Sequence, residues 1–169
     1  MVRLDRNFYI RDVLEVAPQL IGKTLVVRTD ENTFSRFQIT EVEAYRGEED
    51  KACHASKGRT ARTEVMYHEG GKVYVYFVYG MYWMLNVVTG PEGEPQAVLI
   101  RGTDQHNGPG IFTREAGINR SFYGEDLTLS DRIWIEDSRN PVKYNTGKRK
   151  GIGYSGKEWM NKLWRFYKS

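Results

Sequence analysis

A chain of 169 residues that is 40% hydrophobic and 28% charged can bury one sizeable core, so a single domain spanning 1–169 is expected. A mean hydropathy of −0.61 with no long apolar run argues against a membrane-spanning helix, and the charged start MVRLDRNFY does not read as a secretory leader. The one cysteine, Cys53, has no partner for an intramolecular disulfide or a multi-cysteine zinc site, and a soluble cytosolic protein with no membrane partner is expected.

The net charge of +3 is too small to argue for a polyanionic partner, but it is unevenly spread. From Arg139 to Ser169 nine Lys or Arg accompany one acid, Glu158, whereas Glu41 to His54 holds five acids and two bases. A basic segment can neutralise phosphates while an acidic one carries chemistry; a solvated basic face is the plainer reading.

In chain order, Asp12 to Leu20 predicts a short helix with Val13, Leu14 and Val16 inward. Asp12 is its expected N-cap, Glu15 stands in capping-box spacing, and Pro18 limits the regular part. Lys23 to Val27 follows as a β-run. Phe37 to Tyr45 alternates as a strand and puts Glu41, Glu43 and Tyr45 on one face, so parity does not choose between the two acids. Glu48 to Arg62 is polar and irregular. Val73 to Val78 and Tyr82 to Val88 read as a hairpin with Tyr79-Gly80-Met81 at its tip. Ala97 to Arg101 is a strand, Gly108-Pro109-Gly110 a loop, Ile111 to Ala116 the start of a helix, Asp131 to Ile135 a strand and KRKGIGYSGKEW a glycine-rich loop. Strands grouped together, rather than alternating with long helices, predict a compact α+β domain: a mostly antiparallel curved β-sheet flanked by helices, with a protruding β-hairpin.

Five tyrosines, a phenylalanine and a tryptophan lie between Tyr67 and Trp83, around the string YVYFVYGMYW. A pure core strand favours Val, Ile and Phe, because each buried tyrosine hydroxyl needs a hydrogen-bond partner. Tyrosines this dense, brought beside the carboxylates of EVEAY, suit a surface that stacks flat polar rings next to an acid or base. Nucleobases are such rings, and each base–aromatic stack is worth about 1–3 kcal/mol. Tyr74 and Tyr76 share one strand face, opposite Val73, Val75 and Phe77, and Tyr79 at the tip could project as a wedge. Sugar platforms and protein contacts remain open for the same rings. His54 next to Cys53 makes neither a metal site nor a nucleophile pair, since neighbouring side chains diverge. A structural role or a ring against a ligand is left for it.

Taken together, ITEVEAYRGEEDKACHASKGRTAR, GKVYVYFVYGMYWMLNVV, AVLIRG, NGPG, INRSF, GIGYSG and WRFY resemble the alkyladenine (3-methyladenine) DNA glycosylase family, in order, from about Pro18 to Tyr167. The resemblance implies a single mixed domain that flips a damaged purine from double-stranded DNA and hydrolyses its glycosidic bond, acting as a monomer without cofactor. It places the general base on Glu43 and a water- and phosphate-holding arginine on Arg101. The base pocket falls on Tyr45, His54, Tyr76, Asn86 and Ile152, the last through its backbone carbonyl. DNA contacts and intercalation fall on Arg62, Tyr79, Met81 and Tyr82. Substrates would be 3-methyladenine, 7-methylguanine, hypoxanthine and ethenoadenine; the setting would be the cytoplasm and nucleoid of a prokaryote or the nucleus of a eukaryote. A non-catalytic lesion binder and a carbohydrate enzyme using Glu41 and Glu43 are the rivals, and Glu43 and the basic C-terminal segment count against them.

Three departures accompany the resemblance. Only Gly102 to Asn107 separate Arg101 from Gly108, where family members carry a longer, helix-bearing insert. Thr60-Ala61-Arg62-Thr63 stands where many read TPRN, which puts loop rigidity and a phosphate contact in question. Ile111 replaces the lysine of a GPGKL-like string.

Overall fold

The computed structural model describes residues 2–169 and forms an α+β domain around an eight-stranded, wholly antiparallel sheet. The strands are β1 (Thr24–Arg28), β2 (Phe34–Arg46), β3 (Val73–Val78), β4 (Tyr82–Thr89), β5 (Gln96–Thr103), β6 (Ile133–Glu136), β7 (Tyr144–Gly147) and β8 (Arg165–Lys168). The helices are α1 (Arg6–Tyr9), α2 (Val13–Leu20), α3 (Pro109–Ala116) and α4 (Lys157–Met160). No helix among the described residues is long and apolar enough to cross a membrane.

The main path runs β3-β4-β5-β2-β1-β6, with β8 on β2 and β7 on β8. β2 is the spine. Its Phe34–Gln38 half pairs with β1, Ile39–Arg46 pairs with β5, and Glu41–Glu43 also pair with β8. The ladder with β5 slips on both sides of Glu41, a bulge that sharpens the twist and lets one strand serve three partners.

Apolar residues of alternate parity build the core. Val42 and Ala44, Val73 and Val75, Leu85 and Val87, and Val98 and Ile100 point to one face and pack under α2 and Phe112 of α3. The other face carries a smaller cluster around Cys53, Met66, Tyr67, Tyr74 and Val88, with Tyr45 and Tyr76 at its edge. Register aligns a row across four strands on this second face: Tyr74 opposite Asn86, Asn86 opposite Leu99, Leu99 opposite Glu43.

Asp12 caps α2 by accepting from the Leu14 N–H at 2.8 Å, and its carboxylate also pairs with Arg46 at 2.9 Å. Pro18 does not end that helix, which runs on to Leu20. The stretch expected as one glycine-rich loop before the C-terminus is more structured. β7 ends at Gly147, a 3-10 turn covers Gly153–Ser155, α4 follows, and β8 closes on β2. Short elements pinned by tertiary pairing carry too little periodicity to be read from sequence.

Candidate active site

Glu43 points from the second face of β2 and is fully buried. Its Oε1 accepts the Tyr45 hydroxyl at 2.8 Å and lies 3.6 Å from Nη1 of Arg101; its Oε2 accepts the Lys150 backbone N–H at 2.6 Å. Burial pushes its pKa above the usual carboxylate range, and Arg101, the Lys150 amide and the Tyr45 hydroxyl only partly offset that. Glu41, on the same face, has a different fate. Its carboxylate is 3.0 Å from Arg165 and within 3.9 Å of both Arg101 and Lys150, in a partly exposed ion network. The structure thus separates two acids that strand parity leaves equivalent: Glu41 is neutralised by several cations, Glu43 is desolvated.

Next to Tyr45, the hydrogen-bond partner of Glu43, a small hollow is lined by that ring together with His54, Tyr74, Tyr76, Asn86 and Tyr154, and by Ala52, Cys53, Met66 and Ala97. It adjoins a wider mouth bordered by the hairpin (Tyr76, Val78, Tyr79, Tyr82), Arg101, the start of α3 (Gly108–Ile111) and Lys150–Ile152. The His54 ring meets Tyr76 edge-on at 4.4 Å between centroids, and its Nδ1 is 2.8 Å from the Tyr74 hydroxyl. Burial, with Arg62 nearby, pushes the His54 pKa down to about 4, so this wall is a neutral imidazole at physiological pH. Asn86 is buried in the floor, its Nδ2 donating to the Tyr74 carbonyl at 3.3 Å. Cys53 is buried as well, and desolvation pushes its thiol up to about 12, which makes it an inert wall.

The residues expected to meet DNA are spread along the hairpin and the loop behind it. Tyr79 is 89% exposed and adopts φ 54°, next to Gly80 at φ 64°. A tyrosine in the left-handed region costs about 1–2 kcal/mol, here spent on aiming a bare ring outward. Met81 is exposed beside it. Tyr82 instead covers the first turn of α3: a Cβ on Gly110 would sit 2.5 Å from its Cγ, so the glycine permits that close packing. Arg62 is exposed and its guanidinium lies 5.2 Å from the Tyr76 ring, bridging the loop and the pocket wall. Thr60 and Thr63 hold this loop reciprocally, Thr60 N–H to Thr63 Oγ1 at 2.9 Å and Thr63 N–H to Thr60 Oγ1 at 3.2 Å. The Tyr123 hydroxyl adds a bond to the Arg62 carbonyl at 2.9 Å. Rigidity therefore comes from threonines rather than a proline.

The Ile152 side chain borders the mouth, but its carbonyl accepts both the backbone N–H and the hydroxyl of Ser155. The group from this loop that reaches the acid is the Lys150 amide. Sequence reasoning also missed Asp50, Arg149 and Tyr154; the Tyr154 hydroxyl donates to the Ala52 carbonyl at 3.0 Å and its ring borders both the hollow and the mouth.

A sequence profile of the methylpurine-DNA glycosylases matches residues 7–106 and 102–169. The chain belongs to that family. The methylpurine-DNA glycosylases are hydrolases of N-glycosyl bonds, and DNA is their substrate. The two matched stretches overlap at 102–106, the end of β5 and the start of its short connection to α3, where Gly102 bridges to Asn107 and the Thr103 N–H bonds the His106 carbonyl at 2.9 Å. Relatives named 3-methyladenine DNA glycosylases include one from Wolbachia sp. subsp. Brugia malayi (strain TRS), 46% identical over 96% of this chain and 95% of its own. Others come from Legionella pneumophila (strain Corby), 43% identical over 99% and 94%, and Methanocella arvoryzae, 41% identical over 97% and 91%.

Proposed function

We propose that this methylpurine-DNA glycosylase is a monofunctional enzyme that acts as a monomer on duplex DNA, flips out an alkylated or deaminated purine and hydrolyses its bond to the sugar. Its substrate class would be 3-methyladenine, 7-methylguanine, hypoxanthine and ethenoadenine. Burial of Glu43, with both carboxylate oxygens held and an aromatic hollow alongside, is the observation that carries the reading.

In this reading the flipped purine slides between Tyr45 and the His54–Tyr76 wall. Flipping costs a few kcal/mol, comparable with what stacking one ring returns. Tyr79 fills the vacated place in the duplex, Met81 and Arg62 border the groove around it, and Tyr82 backs the hairpin against α3. Glu43 takes a proton from water as its oxygen bonds the anomeric carbon, while the C1′–N bond breaks and its electron pair leaves with the purine. A 3- or 7-methylated purine already carries positive charge and departs neutral, so it requires little acid catalysis; neutral hypoxanthine or ethenoadenine takes a proton from solvent water as its bond breaks. Arg101 favours the ionised form of Glu43 and faces the sugar–phosphate side; Asn86 crowds the purine 2-position.

Duplexes with single modified purines, scored for free base, test the proposal. Release of the base, with strand breakage only after alkali, is the expected result. Tight binding of every lesion without release would leave a lesion-binding protein instead.

A further inference from the structure

We propose that the buried Asp50–Arg149 ion pair is the positioning device that holds the Glu43 carboxylate and the Tyr45 ring in register for catalysis; this inference rests on the glycosylase reading above.

Both side chains are fully buried. The pair is bidentate, Arg149 Nη1 to Asp50 Oδ2 at 2.6 Å and Nη2 to Oδ1 at 3.0 Å, between residues 99 apart in the chain. Nη1 also donates at 3.0 Å to the carbonyl of Ala44, the residue between Glu43 and Tyr45. The guanidinium lies 5.0 Å from the Tyr45 ring centre and 5.0 Å from that of Trp164. The next residue along, Lys150, supplies the N–H on Glu43 Oε2. Asp50 in turn accepts the Arg46 N–H at 3.0 Å and the Ala52 N–H at 3.0 Å, fixing the turn that leads to Cys53 and His54. One ion pair thus braces the base, the stacking ring and the turn into the opposite wall.

Energetics argue the same way. A buried pair is a poor route to stability, since desolvation cancels most of the Coulomb gain and apolar replacements of similar shape are often as stable. Geometry is what a bidentate arginine supplies well, because its planar fork fixes several acceptors at once. Misplacing a reacting group by ~1 Å can cost on the order of a hundredfold in rate.

Glu43 is faced by charged or titratable groups on every side: Tyr45 and Glu41 from β2, Arg101 from β5, Tyr76 from β3, Arg165 from β8 beyond Glu41, and Arg149, Lys150 and Tyr154 from the loop before α4. Arg149 is among the cations that favour its ionised form, so a variant that keeps this charge and loses the fork separates geometry from electrostatics.

The test uses the full chain, a duplex carrying one hypoxanthine (7-methylguanine if wild type releases that base faster), and two variants followed by thermal unfolding, lesion-duplex Kd and single-turnover base release against pH. Arg149→Lys keeps the charge but loses the fork. It is expected to fold, bind as wild type, and release base about ten- to a hundredfold more slowly with an unmoved acid limb. Asp50→Asn/Arg149→Gln removes both charges and the fork together, with no net change of charge, and its rate is expected to fall by a similar factor. A folded variant of either kind with wild-type rate and acid limb overturns the proposal, as does failure of both to fold, which would make the pair a folding element alone. Base release by wild type tests the glycosylase reading separately.

Discussion

The Tyr45 hydroxyl donates to Glu43 Oε1 at 2.8 Å, a bond between two residues on one strand face. Tyr45 therefore does two things: its ring walls the hollow, and its hydroxyl keeps part of the acid's charge solvated. Burial and the neighbouring carboxylate hold the phenol itself far above the ordinary tyrosine range, so it remains a donor at any working pH. Tyr45→Phe keeps the ring and deletes the bond. The Glu43 pKa, already raised, moves further up, so the acid limb of single-turnover base release shifts to higher pH while the plateau above it changes little. A profile superimposable on wild type would detach Tyr45 from Glu43.

Glu43→Gln separates chemistry from binding. Base release should fall ~10²–10⁴-fold, the usual worth of a general base, with lesion-duplex affinity retained. Glu41→Gln should be far milder, because Arg165 neutralises Glu41 away from the hollow. Stability should move the other way. The folded pKa of Glu43 lies above its unfolded value, so its contribution is complete below the unfolded pKa and is lost as pH rises through the folded one. Ionised, the acid opposes folding. Glu43→Gln should therefore raise Tm above the folded pKa of Glu43, and the gain should shrink as pH falls through it.

Much of this site was legible because its parts are local. EVEAY, the YVYFVYGMYW hairpin and Arg101 sit in β2, β3–β4 and β5, whose existence and type follow from alternation, and register then brings Tyr74, Asn86, Leu99 and Glu43 into one row. Local pattern failed at the bulge. Parity treats Glu41 and Glu43 alike; β8 sets Arg165 opposite Glu43 in register, yet its guanidinium reaches along the strand to Glu41 at 3.0 Å, and that side-chain contact tells the two acids apart. The C-terminal cations were legible as a run, not as individuals: Arg149 is buried on Asp50 and Arg165 is bound to Glu41, so neither is free to neutralise phosphate. A contact across 99 residues leaves no periodic trace.

Tyr79 combines exposure with a left-handed backbone, and the two have opposite consequences. Tyr79→Asn suits that backbone better, so Tm should hold or rise, by up to about 1 kcal/mol in stability. Excision from a paired lesion should nevertheless fall by about tenfold, and less when the lesion is mispaired, because a mispaired base costs less to extrude. Equal losses on both duplexes would remove the wedge from the reading.

Asn86 carries the selectivity prediction. It is buried in the floor of the hollow, and its Nδ2 is anchored to the Tyr74 carbonyl at 3.3 Å, so the amide does not swing aside easily. Adenine-derived lesions and hypoxanthine carry hydrogen at purine position 2, whereas guanine carries an amino group. Against a fixed amide that group either clashes or is buried without a partner, a cost of about 1–3 kcal/mol. Asn86→Ser opens the space. It leaves the Tyr74 carbonyl to its remaining neighbours, so a modest fall in Tm is expected alongside. Release of guanine or lightly modified guanines should rise about tenfold relative to hypoxanthine, in keeping with 1.4 kcal/mol per decade, with no faster release of adenine lesions. The measurement is single-turnover release on duplexes differing only in the central purine. An unchanged guanine-to-hypoxanthine ratio would shift attention to Ile111, 41% exposed at the α3 side of the mouth, where bulk also limits what enters.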